Sequence, residues 1–188
     1  MAVLMEHGYA RTSTLEIATR AKVSKRELYR LFGDKKAILT SCIAERAKEV
    51  RLQLELPEVG DRASLASVLE SFGAAALRGL SRPEVTAVFR LAVVEAERSP
   101  EVAQALDTAG RIATRDALIR VLAQAQSKGL LGNGDPALMA EQFFALLWGG
   151  LRLRLLLRLA APPGQAEIKR RAQRATEALL VLHGARKA

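Results

Sequence analysis

The sequence predicts an all-α protein with an N-terminal helix-turn-helix domain and a C-terminal helical domain. Three observations carry this. Ala, Leu and Arg dominate while β-branched runs are short, a composition that favours helix over strand. Helix-start signals recur along the chain, and no stretch alternates apolar and polar residues with the period of two that a half-buried strand needs. Two short segments that open with cap residues, joined by a four-residue turn, lie at residues 13–31, the dimensions of a helix-turn-helix.

Each element follows from its punctuation. Ser13 with Glu16 makes a capping box and opens a helix to about Arg20, and Ser24 with Glu27 opens the next, to about Leu31. In such a box the hydroxyl and the carboxylate each satisfy an orphan N–H at the helix start. Asp34 caps a longer helix through about Leu54, which "LPEVGDR" breaks. A helix runs from about Ala63 to Leu80. Ser81, Pro83 and Glu84 start another that ends near Arg98, and Ser99-Pro100 starts a short one, since Pro fits the first helical turn. A long helix spans about Thr108 to Lys128 and stops at Gly129. Asp135-Pro136 opens a helix that reaches Leu159, with Gly149-Gly150 inside it where another backbone comes close. "APPG" at 161–164 is a turn, and the last helix covers about 165–182 and ends at Gly184.

The chain of 188 residues is long enough for a substantial core. Its net charge of +9 suits an anionic partner such as nucleic acid. Between Arg11 and Lys36 there are eight Lys/Arg and three Asp/Glu, a net of +5. A single cysteine, Cys42, leaves no internal disulfide and fits a reducing compartment. The N-terminal "MAVLMEHGYA" lacks the apolar core of a signal peptide. The most apolar window, 143–161, contains Arg152, Arg154 and Arg158, which argues against a membrane span. The expectation is a cytoplasmic, soluble protein. An enzyme finds no support. His7 and His183 are isolated, Cys42 has no nearby base, no Cys/His cluster has metal-ligand spacing, and no glycine-rich loop is present to hold a phosphate or cofactor.

Within the helix-turn-helix, Ala18 is small where the helices must approach. Val23 and Leu28 supply contacts, Ile17 and Ala21 lie on the same side, and Phe32 closes the far end. Lys25, Arg26, Tyr29 and Arg30 then face outward on the second helix. A helix of this width enters the major groove, where Arg and Lys pair with guanine while other contacts go to phosphate. Glu27 is suited to accept from a cytosine amine, but its place in the capping box is the stronger reading.

"HGYARTSTLEIATRAKVSKRELYRLFGDKKAIL", residues 7–39, resembles the DNA-binding domain of the TetR family of bacterial transcriptional regulators. The matching pieces are Gly8-Tyr9, Thr12-Ser13, Ile17-Ala18, Ala21, Val23-Ser24, Leu28-Tyr29, Phe32 and Lys35. The resemblance implies that Ser24–Leu31 is the recognition helix, and that Tyr29 and Lys35, with Thr12 or Ser13 from the preceding helix, contact phosphates. It also implies a homodimer on a palindromic double-stranded operator and a ligand-controlled C-terminal domain. Three departures stand out. Only seven residues precede Gly8, so the first helix is expected to be truncated. Lys22 stands where glycine is common in the turn. A non-glycine at positive φ costs about 1 kcal/mol, but Lys22 adds a charge facing DNA. Leu31 replaces a polar or aromatic residue, which weakens a phosphate contact there.

The division expected is 1–42 for DNA binding and 43–188 for ligand binding and dimerisation. "VFRLAVVEAERSPEVAQAL" and "GLLGNGDPALMAEQFFALLWGGL" resemble the C-terminal domain of the AefR-like subgroup. Phe72, Phe89, Val93, Phe143, Phe144 and Trp148 are the candidate lining of an apolar cavity for a small-molecule inducer, with Glu95 as a group to orient it. The helix at 136–159 is apolar nearly all round between Phe143 and Leu151, so a partner subunit is expected to cover one side, with the last helix completing a four-helix bundle. The expected function is a DNA-binding regulator, a repressor released from its operator by an apolar or amphipathic molecule. A ligand-independent architectural or co-regulatory DNA-binding protein is the alternative.

Overall fold

In this computed structural model residues 2–7, 9, 11–52 and 59–184 are described, and they form eleven α-helices and one π-helical segment. An isolated bridge, Leu131 to Gly184, is the only β pairing among them. In chain order the helices are α1 (Ala2–His7), α2 (Thr14–Ala21), α3 (Lys25–Phe32), α4 (Lys35–Leu52), α5 (Arg62–Leu80), α6 (Pro83–Glu95), α7 (Pro100–Leu106), α8 (Ala113–Ser127), α9 (Pro136–Trp148), α10 (Leu151–Leu156) and α11 (Gln165–His183). The π-helical segment, Asp107–Ile112, joins α7 to α8.

The helix starts form where cap residues stand. The hydroxyls of Ser13 and Ser24 accept from the backbone N–H of Glu16 and Glu27 at 3.1 and 3.0 Å. Asp34 accepts from the Ala37 N–H at 2.7 Å and Asp135 from the Ala137 N–H at 2.8 Å. Only half of the box predicted at Ser13 forms, because the Glu16 carboxylate sits 3.0 Å from His7 Nε2 instead. A full reciprocal box closes at Asp61 and Ser64, which the sequence reading passed over. Ser81 does not open α6. Its hydroxyl donates back to the Leu77 carbonyl at 2.5 Å and so finishes α5. α6 ends at Glu95, three residues before the expected Arg98.

Two long helices were expected where the chain changes register. The stretch from Thr108 begins as π-helix and becomes α only at Ala113. The helix from Pro136 stops at Trp148, because Gly149 takes φ +46 and ψ −132, a conformation open to glycine alone. A Cβ at Gly149 or Gly150 would meet nothing within 4 Å among the described residues of this chain, so within one chain these glycines turn the backbone. The expected end at Leu54 lies outside the described residues. So do Leu56, Pro57 and Glu58 of "LPEVGDR".

The chain divides into two compact units, and the division is not sequential. One comprises residues 1–49 and 84–112, the other 50–83 and 113–188. In the first, Ala18, Leu28 and Ile38 form a small core with Ile17, Val23 and Cys42 around it. A larger one joins Tyr9, Leu39 and Ile43 to Val88, Leu91, Ala92, Val102, Ala105 and Leu106. The α6–α7 pair therefore shares its apolar face with α4 and with the turn that precedes α2. In the second unit α11 packs on α5 and α9, and α8 on α9. Gly73 lets these helices meet: a Cβ there would stand 3.1 Å from Phe143, 3.2 Å from Leu147 and 3.3 Å from Ala172. The Arg62 guanidinium donates to the Leu180 carbonyl at 3.2 Å and the Lys128 ammonium to the Val59 carbonyl at 2.8 Å.

Candidate nucleic-acid interface

α2 and α3 meet over Ala18, which is 1% exposed beneath Leu28. The turn between them closes through Lys22, which adopts φ +56 and ψ +37 and sends its N–H to the Ala18 and Thr19 carbonyls. The left-handed residue expected at this position is thus present, and it is a lysine. Ala21 and Phe32, expected inside, are exposed, Phe32 at 36%. The helices are only eight residues each, and Ile38 of α4 completes the small core with Ala18 and Leu28.

With Leu28 as the buried anchor, Arg26 and Arg30 fall one turn apart on the opposite side of α3, and both are exposed. Lys22, Ser24, Lys25 and Ser13 are exposed as well. Tyr29 is 45% exposed, with the Lys25 ammonium 5.6 Å from its ring centroid. Its hydroxyl lies 3.2 Å from Thr14 Oγ1, which ties the first residue of α2 to the middle of α3. Thr14 was not singled out in the sequence, although its neighbours Thr12 and Ser13 were. The helix start that placed Ser13 at the cap also places Thr14 one residue on, beside Tyr29.

Thr12 and Lys35 are placed differently from the other predicted contacts. Thr12 is 2% exposed, and its hydroxyl donates to the Val3 carbonyl at 3.5 Å. The Lys35 ammonium donates to the carbonyls of Tyr9 at 2.8 Å and Thr12 at 3.2 Å, and stands 4.3 Å from the centroid of the Tyr9 ring. An ammonium has three N–H donors. Two carbonyls and an aromatic face occupy it, so the charge points into the module. Tyr9 is 4% exposed. Burial pushes the phenol pKa up to about 12, helped by the charge and hydrogen bond of Glu101 and by the more distant charges of Asp34 and Glu95. On the outer side of α1, Arg20 pairs with Glu6 at 2.7 Å. Among the described residues no group of three or more His, Cys, Asp or Glu could hold a metal ion, and no helix is long and apolar enough to cross a membrane.

Residues 67–185, well over half of the chain, match the family described as AefR-like transcriptional repressor, C-terminal domain, and residues 1–42 match bacterial regulatory proteins, tetR family. The chain belongs to the TetR family. This TetR-family transcriptional regulator is similar in structure to the flavonoid-responsive regulator FrrA, at 27% identity and a TM-score of 0.83 over 99% of this chain and 93% of that one. A TetR transcriptional regulator from Agrobacterium tumefaciens shares 27% identity and a TM-score of 0.80 over 99% and 91% of the two chains. One from Pseudomonas syringae pv. tomato str. DC3000 shares 26% and 0.73 over 99% and 93%. No curated protein matches the sequence. The matches are to transcriptional regulators and not to enzymes.

In the C-terminal part of this TetR-family regulator, Phe72, Phe143 and Phe144 pack edge to face with centroids 5.9 to 6.2 Å apart. Trp148 belongs to the same core, and the Arg152 guanidinium lies 5.0 Å from its ring. The other two expected lining residues are elsewhere. Phe89 packs with Val88 and Leu91 in the other unit, and Val93 is 68% exposed. α6 buries Val88, Leu91, Ala92 and Glu95, so Val93 falls on its open side. The run "VFRLAVV" is apolar nearly all round and does not show from sequence which side is covered. Glu95 is buried at 6% exposure within α6.

Proposed function

We propose that this regulator is a repressor that binds a palindromic operator as a homodimer, and that a small apolar or amphipathic molecule releases it. The observation that carries the DNA reading is the exposed side of α3, where Arg26 and Arg30 stand opposite the buried Leu28. Arg26 is the second residue of the helix and reads base edges, since the N-terminal residues of a recognition helix enter the groove. Ser13, Lys22, Ser24, Lys25, Tyr29 and Arg30 hold the backbone alongside. The match to a transcriptional repressor family supports repression. The likeness to a flavonoid-responsive regulator supports an inducer with apolar surface. Exposed Leu138, Leu146, Leu153 and Val181 on α9, α10 and α11 support a second subunit covering these helices.

The test begins with a duplex selected by the wild-type protein from a random pool. Arg26→Ala is expected to lose about 1–3 kcal/mol of discrimination between that duplex and a random one. Unchanged discrimination in fluorescence anisotropy would remove α3 as the reader. Small apolar molecules are then titrated into the preformed complex. An inducer lowers operator affinity, and the operator lowers affinity for it by the same factor. A protein that binds the selected duplex and responds to no such molecule would be the ligand-independent binder.

A further inference from the structure

Between Arg11 and Lys36 the chain carries three acids, and two of them are engaged within the protein. Glu16 sits 3.0 Å from His7 Nε2, and Asp34 accepts from the Ala37 N–H at 2.7 Å. Glu27 is the third. Its backbone N–H donates to the Ser24 hydroxyl at 3.0 Å, which is half of the capping box expected there. The other half does not form, because the Glu27 carboxylate does not return to the Ser24 N–H. Among the described residues that carboxylate has no hydrogen-bond or ion-pair partner, and the side chain is exposed. One turn away on either side, where a cation would pair with it, stand Val23 and Leu31. Around α3, Glu27 lies about 100° from the buried Leu28 and about 60° from the exposed Arg30. A free carboxylate thus stands in the first turn of α3, on its open side and next in sequence to Arg26.

On a surface that meets phosphate, such a group repels every duplex alike, against a local net charge of +5 that attracts them. When the interface closes, the carboxylate also loses its water, and a charge so stripped must find a donor. Phosphate offers none. In the major groove the N4 amine of cytosine and the N6 amine of adenine donate, while guanine and thymine present acceptors. Adenine sets its N7 acceptor beside its amine, so cytosine is the base whose edge offers a donor alone. We infer that Glu27 is a specificity-determining residue: it accepts from the N4 amine of a cytosine in each operator half-site, and it rejects guanine and thymine there by repulsion between acceptors. The inference rests on the operator proposed above and adds a base to it. Arg26 and Glu27 are about 1.5 Å apart along the axis of α3, less than the step of about 3.4 Å between base pairs. The cytosine therefore falls in the base pair that Arg26 reads or in the next one. The carboxylate lowers affinity for all sequences and raises discrimination among them, so its removal moves the two in opposite directions.

The experiment runs the selection from a random pool with the wild type, Glu27→Ala and Glu27→Gln. Each preference is then measured by fluorescence anisotropy on duplexes that differ at one base pair. The wild type is expected to select cytosine at one position of each half-site, and thymine in its place should weaken binding about tenfold or more. Glu27→Ala should accept every base at that position within about twofold. It should keep its preferences elsewhere and bind a random duplex more tightly than the wild type. Glu27→Gln should shift the position toward adenine, since a Gln amide pairs with both N6 and N7. A role confined to the start of α3, where a carboxylate favours the positive end of the helix, would instead lower the melting temperature and weaken every sequence alike. That result overturns the inference. So does the same selected duplex from all three proteins, which would mean that Arg30 neutralises the carboxylate on DNA and Glu27 reads nothing. If the wild type selects no duplex, the operator proposal itself fails and the cytosine falls with it. If it selects one and no single position changes in the variants, the operator proposal stands and the part given to Glu27 alone is wrong.

Discussion

Tyr9 shows how one side chain can report on its surroundings. The chain holds two tyrosines, Tyr9 and Tyr29, so in Tyr29→Phe the phenolate absorbance comes from Tyr9 alone. Its expected native midpoint is about 12, raised first by burial and then by Glu101. Asp34 and Glu95 also face the phenol with negative charge, while Lys35 covers the ring. A midpoint near the ordinary value of about 10 would show that the hydroxyl is solvated. The sign of the linkage follows. The folded protein holds this proton more tightly than the unfolded chain does. The stability it confers is whole below about pH 10 and is lost as pH rises toward about 12. In urea unfolding, Tyr9→Phe should therefore show a smaller fall in midpoint between pH 9 and pH 11 than the parent.

Backbone strain can be tested at the element scale with two neighbouring glycines. Gly149 has φ +46 and ψ −132, whereas Gly150 has φ −79 and ψ −5, and both have open space where a Cβ would go. Gly149→Ala should therefore destabilise by about 1–3 kcal/mol through conformation alone. Gly150→Ala should stay within about 0.5 kcal/mol. Equal effects on denaturant midpoints would contradict the break at Trp148. The same pair shows what the sequence makes legible. Helix starts at Ser13, Ser24, Asp34 and Asp135 were readable because a cap is satisfied within three residues of itself. The break at Gly149 was not, since glycine inside an apolar run signals equally a turn or a close crossing. Nor was the release of Glu16 from its box, which depends on where His7 lies, or the side on which α6 leaves Val93. The exposed side of α3 was legible because Leu28, Arg26 and Arg30 are fixed by helical period alone. Lys35 lies far along the chain from Tyr9, whose carbonyl it holds, and no local pattern points from one to the other.

On the scale of the whole molecule, each compact unit has its own core. One is small, built from Ala18, Leu28 and Ile38 beside the cluster around Tyr9, and the other runs through α5, α8, α9 and α11. Two cores of such different extent do not favour a single all-or-none transition. Calorimetry is expected to show a heat of unfolding larger than the van't Hoff value, with the unit that carries α3 opening first. Adding the selected duplex should raise that first transition more than the second, because a ligand stabilises the part that binds it. One sharp transition that moves as a whole would mean that the units unfold together.

The π-helical segment at Asp107–Ile112 is, in effect, a place where the chain carries one residue more than an α-helix of the same rise requires. Chain length is therefore negotiable here as it is not in α5 or α11. Removing Ala109 should let the stretch wind as ordinary helix, with α8 keeping the same side chains toward its core. Removing Ala74 from the middle of α5 would turn every later residue of that helix by about 100° and expose what is now buried. A comparison of melting temperatures should find the first deletion mild and the second severe. Sequences descended from a common ancestor would accordingly be expected to differ in length at this segment sooner than in the helices on either side.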